Sequence, residues 1–159
     1  MRVERLDLPL ESGPYSIDRI ESYPVRSLGT AVRYMVSDSS APPIDLFVYP
    51  VGDRDLDAEA AAARSEMRFA GRTQRDLSLD IVGTDTLVVL GAPYPVLRSL
   101  AEGAIGPDSL RSYLFLTRVE NRYLKFRATF SAASRHMLDR ALRRRVESII
   151  RDAARRAAE

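Results

Sequence analysis

Two alternating segments followed by one long helical one, Leu110 to Val119, Tyr123 to Phe130 and Ser134 to Ala157, constrain this chain more than any other stretch. Tyr113, Phe115, Thr117 and Val119 alternate with Leu114, Leu116 and Arg118. Across a Glu120-Asn121 turn, Leu124, Phe126, Ala128 and Phe130 alternate with Tyr123, Lys125, Arg127 and Thr129. Successive side chains of a strand point to opposite faces, so this period of two predicts a hairpin with at least one face in the core. The period then becomes helical. Leu138, Leu142, Val146, Ile149 and Ala153 share one stripe, flanked by Ile150 and Ala157, while Arg140, Arg144, Glu147, Arg151 and Arg155 share the opposite one. A helix divided in this way covers a sheet and turns its guanidinium groups outward.

The first part of the chain reads as more strands and one further helix. Residues 1–14 carry Pro9 and the Gly13-Pro14 break, which predicts an extended surface arm ahead of a domain spanning 15–159. Ile17 to Tyr23 is a poor strand pattern, whereas Gly29 to Val36 places Val32, Tyr34 and Val36 on one face. Ile44 to Val51 is apolar on both faces and is expected to be central. Helix one follows over residues 56–70: Asp55 is its N-cap, Leu56, Ala60, Ala63, Met67 and Ala70 form its apolar stripe, and Gly71 ends it. Leu77 to Val82 and Thr86 to Leu90 read as two strands around a Gly83-Thr84-Asp85 turn, the second buried on both faces. Val96 to Ala104 fits either a strand or a short helix. The predicted class is α+β: a mostly antiparallel sheet of about six to seven strands packed with two main helices as an αβα sandwich.

Composition narrows the chemistry. The chain has 159 residues, 45% hydrophobic and 29% charged, ordinary values for one globular domain. It has no cysteine, one histidine and one lysine, Lys125, among 24 basic residues. Disulfides, thiolate chemistry and Cys-based zinc sites are excluded, and Schiff-base and phosphate-loop mechanisms lack their usual groups. Asp53-Arg54-Asp55-Leu56-Asp57-Ala58-Glu59 begins like a calcium loop, but Ala58 stands where that loop needs Gly and Arg64 where it needs a bidentate Glu. Helix capping accounts for those carboxylates instead. His136 lies near Ser134 and Asp139, yet helical spacing does not align the three as a relay. No cofactor or metal is expected.

Charge is local. Residues 131–159 hold eight Arg and four acids, and the remainder is slightly acidic. Glu147, four residues before Arg151, is expected to pair with it, and the Arg stripe reads as a solvated face. Neither DNA, RNA nor anionic vesicles are therefore expected to bind it at physiological ionic strength. Arg122 to Phe130 mixes basic and aromatic residues as RNA-stacking sheets do, but Phe126 and Phe130 are expected in the core. Tyr49-Pro50 and Tyr94-Pro95 set rings beside prolines in rigid turns that can form interaction edges.

Tyr23-Pro24, Leu28-Gly29, Val32-Arg33-Tyr34 and Leu46-Phe47-Val48-Tyr49-Pro50 resemble the opening of domains in the PsbP and Mog1-like group. The Ala-rich helix after them, and the closing hairpin with its terminal helix, follow the same layout. The resemblance implies an antiparallel sheet between helices. It also implies a bacterial, non-catalytic binding or assembly factor, of the kind found among envelope lipoproteins and chaperones for secreted effectors.

The functional expectation is a non-enzymatic accessory protein that recognises a protein partner or a small ligand, in secretion, chaperone, immunity or envelope assembly work. The candidate interaction residues are Tyr49, Tyr94, Pro95, Arg140, Arg144, Arg151 and Arg155. Two alternatives stay open: a small enzyme that depends on carboxylates and Arg, and binding of an anionic partner such as nucleic acid through the Arg-rich terminal helix. Met1 to Arg5 begin no signal-peptide hydrophobic region, so the expected location is periplasmic or envelope if a leader was trimmed and cytoplasmic otherwise.

Overall fold

The computed structural model describes all residues except 39–40, 74–76, 133–134 and 158–159, and all side chains of the described residues except those at 70–73, 77–78 and 135–138. The Ser134 expectations lie outside the described residues, and those on the Ala70, His136 and Leu138 side chains outside the described side chains.

Two antiparallel meanders meet in the middle of one sheet. The first consists of β3 (Glu11–Ser12), β4 (Tyr15–Ser22), β5 (Thr30–Val36) and β6 (Ile44–Pro50), preceded by a separate two-stranded ribbon of β1 (Arg2–Val3) and β2 (Leu6–Asp7). The second consists of β7 (Leu77–Leu87), β8 (Val96–Ile105), β9 (Asp108–Val119) and β10 (Arg122–Ser131). Spatial order is β3-β4-β5-β6-β10-β9-β8-β7, so the last strand of each meander pairs with that of the other. Between the meanders runs helix α1 (Leu56–Thr73), and after the second runs α2 (Arg135–Ala157). The fold is α+β, with eight strands in the main sheet.

Alternation along the central strands decides which helix covers which face. Tyr113 and Phe115 of β9, with Leu124, Phe126, Ala128 and Phe130 of β10 and Ile44, Leu46 and Val48 of β6, form one core with Leu142, Val146, Ile149, Ile150 and Ala153 of α2. The intervening Leu114, Leu116 and Tyr123 pack under Ala60, Ala63 and Met67 of α1. Because α1 runs chiefly over β7, β8 and β9, the same face of β6 is left to the short 3-10 turn Arg26–Leu28. That half-covered face is what shapes the site below.

The closing hairpin is as the alternation predicts: a two-residue turn at Glu120-Asn121 joins Val119 to Arg122 in register. β6 is central. The undecided segment is a strand, β8. The Asp55 carboxylate accepts the Ala58 amide at 2.8 Å, the N-cap bond of α1. Helix α1 does not end at Gly71 but continues to Thr73. A glycine inside a helix costs only about 1 kcal/mol, less than the rest of the helix contributes through packing on the sheet.

Three further expectations need correction. Val3, Leu6 and Leu8, assigned to a surface arm, are buried in the α2-side core; the hydrophobic effect outweighs the local turn signals there. The predicted turn at residues 83–85 is absent, because β7 is one strand with a register shift between Ile81 and Gly83 that leaves Val82 exposed as a bulge. Thr86 to Leu90 is not doubly buried. Leu87 and Val89 anchor in the core, but Val88 and Leu90 are 88% and 86% exposed. β7 ends at Leu87, so Val88 and Leu90 lie in the bend beyond the strand, and apolar composition alone does not reveal where a strand stops.

Candidate functional site

A groove of about 590 Å³ opens on the half of the sheet that α1 leaves bare. The sequence builds it from four separate segments. Phe47 and Tyr49 face it from β6 and Tyr123 and Lys125 from β10, brought side by side by the register Lys125 to Phe47 and Tyr123 to Tyr49. Glu59 and Glu66 line it from α1, and Arg54 from the loop before that helix. The far rim is the 3-10 turn Arg26–Leu28, with Leu28 exposed. Gly29 follows at φ 68°, and a Cβ there would collide with the Val48 carbonyl oxygen and with Tyr49. Only glycine lets the turn lie this close to β6.

Polar contacts tie these segments together. The Tyr49 hydroxyl donates to the Glu59 carboxylate at 2.9 Å, and Arg54 donates to its other oxygen at 3.3 Å. Glu59 is only 8% exposed despite its charge, and a buried carboxylate needs such partners. It also sits in the first turn of α1, close to the positive end of the helix dipole. The Tyr123 hydroxyl donates to the Arg54 carbonyl at 2.7 Å and its ring lies 5.7 Å from that of Tyr49. Burial first, then the Glu59 charge, pushes the Tyr49 hydroxyl far above its usual range; burial raises Tyr123 as well. Both therefore act as neutral hydrogen-bond donors.

Lys125 is the centre of the arrangement. Its ammonium lies over the Phe47 and Tyr49 rings, 5.2 and 5.5 Å from their centroids, and donates to Glu66 at 2.7 Å. Its side chain is 13% exposed, whereas that of Glu66 is 55% exposed. The lysine is thus fixed by aromatic faces, and its carboxylate partner stands at the solvent edge. Chemically the groove offers ring faces, one held cation and a guanidinium, while both hydroxyl protons are already committed within it.

The seven candidate residues do not converge. Tyr49 lies in this groove. Tyr94 lines a second concavity of about 570 Å³, with Gly91, Ala92, Val119 and Ala154. The Arg118 guanidinium covers the Tyr94 ring at 5.2 Å. The Pro95 carbonyl accepts from Thr117 at 3.0 Å, and Arg151 lies against Gly91. Arg140 and Arg144 face solvent further along α2, and Arg155 pairs with Asp152 at 3.0 Å. Glu147 pairs with Arg143 at 2.6 Å, not with Arg151. Both are four residues away, and the helix satisfies one of them.

Residues the sequence reading missed are Lys125, Glu59, Glu66, Arg54 and Phe47. Two signals pointed to them: Lys125 is the single lysine, and Glu59 falls three residues after Leu56 and four before Ala63, on the apolar side of the α1 stripe.

No family model matches the sequence, and none of the curated proteins does. Among solved structures, cyanobacterial PsbP (CyanoP) from Synechocystis sp. PCC 6803 aligns over 95% of this chain and 90% of its own, with a TM-score of 0.52 and 8% identity. The fold is PsbP-like. At 8% identity the likeness is one of fold alone.

Proposed function

We propose that this PsbP-like domain is a non-enzymatic accessory protein and that it recognises a segment of a protein partner in the groove around Lys125. The observation that carries this reading is the fixed ammonium over two rings, beneath an open rim of Tyr23 and Leu28. Rings with immobilised polar groups are what interface anchors use, since they supply large contact area at little cost in conformational entropy. The groove volume also lies within the range of small-ligand sites, so a small ligand is the alternative occupant. The finer reading is a bacterial role in secretion, chaperoning, immunity or envelope assembly, and it rests on the PsbP-like fold as analogy.

A photo-crosslinking residue placed at Leu28 in the source cells tests this, with the same residue at Asp108, on the distant β8–β9 turn, as control. We expect one discrete adduct from position 28, absent from position 108 and lost on adding Lys125→Met. Equal labelling from both positions, or an adduct indifferent to Lys125→Met, would sink the proposal.

A further inference from the structure

Val88 and Leu90 are the two most exposed large apolar side chains among the described residues, at 88% and 86%. They are not frayed ends. Leu87 and Val89 on either side of Val88 are buried, the Ala92 amide donates to the Val89 carbonyl at 3.0 Å, and Gly91 at φ 86° closes the bend. The chain thus holds two aliphatic groups, two residues apart, out into water. Tyr94 follows on the same loop, with Arg118 over its ring and Arg151 against Gly91. Neither guanidinium has a carboxylate partner among the described residues; Arg118 donates to the Glu120 carbonyl. Arg144 lies two turns before Arg151 on the same exposed stripe of α2.

We infer that this loop docks on an anionic bilayer surface. Val88 and Leu90 enter the acyl boundary, the Tyr94 ring lies at headgroup level, and Arg118 and Arg151 take lipid phosphates. Exposed aliphatic side chains with a ring and cations beside them are the groups that the acyl boundary, the headgroup level and the lipid phosphates of such a surface receive. A protein partner would need an area of roughly 800 Å² on each side, far more than two side chains on a protruding bend present, whereas a bilayer accepts single inserted groups. The Arg stripe alone does not suggest this. With residues 86–90 read as buried, the helix had no apolar companion.

Sedimentation with large vesicles of phosphatidylcholine, with and without phosphatidylglycerol, tests the inference. The protein should pellet with the anionic vesicles, more weakly at about 0.15 M salt than at about 0.05 M yet still measurably, since salt screens only the guanidinium share. Val88→Ser with Leu90→Ser should lower binding at least ~10-fold, given the apolar area withdrawn, and leave the melting temperature unchanged. Arg151→Gln should lower it less and flatten the salt dependence. A wild-type protein that stays in the supernatant at low salt overturns the inference and leaves the patch to a protein partner. Unchanged binding by the double serine variant overturns it too.

Discussion

Single residues set the groove's geometry, and two of them give sharp predictions. Gly29→Ala places a Cβ against the Val48 carbonyl in a backbone conformation that L residues rarely adopt. Strain and collision together should destabilise the protein by more than ~2 kcal/mol, measured by urea unfolding. Gly83, with open space around its Cβ position, is the control, and alanine there should cost far less. The second prediction concerns protons. Burial raises the hydroxyls of Tyr15, Tyr34, Tyr49, Tyr113 and Tyr123 above the ordinary value of 10.0. A folded pKa above the unfolded one contributes stability that is complete below about pH 10 and falls as pH rises through the interval up to the folded values. Stability should therefore be flat across neutral pH and decline above about pH 10, with tyrosinate absorbance rising together with unfolding. Early, non-cooperative ionisation of all seven tyrosines would contradict the packing described here.

At the scale of elements, the two faces of α2 differ in what they do. Replacing Arg140, Arg144, Arg151 and Arg155 with Gln should change stability little, since exposed charges are each worth under about 1 kcal/mol. Leu142→Ala or Ile149→Ala should cost ~2 to 5 kcal/mol, because both side chains are buried in the sheet-facing core. Thermal and urea unfolding of the four-Gln variant and the two alanine variants against wild type checks the contrast, and equal losses would mean that the guanidinium groups are structural. How far these elements could be read follows the same physics. β9, β10 and α2 were legible because their periods of two and 3.6 persist over ten residues or more without interruption. β7 was not, because the Val82 bulge shifts its alternation partway, and because Val88 and Leu90 continue its apolar run beyond the point where the strand stops, at Leu87. The first two strands were hidden by their length of two residues each.

At the scale of the whole molecule, the groove exists because two meanders join at β6 and β10 while α1 is drawn toward β7, leaving the β6 side of the junction only partly covered. The order of strands decides that. Sequence reading named Tyr49 as a candidate but could not assemble Lys125, Glu59, Glu66 and Arg54 around it, because no short-range pattern links residues 54, 59, 66 and 125. The most direct test of the account is the affinity of the partner captured at Leu28 for wild type, Leu28→Asp, Lys125→Met and the distant Arg140→Gln, by calorimetry. Leu28 is exposed and Glu66 already meets solvent, so all three variants should melt close to wild type. We predict a loss of at least ~10-fold in affinity for Leu28→Asp and Lys125→Met, a modest hot-spot effect, and none for Arg140→Gln. Equal affinity in all four proteins would contradict the groove as the binding site.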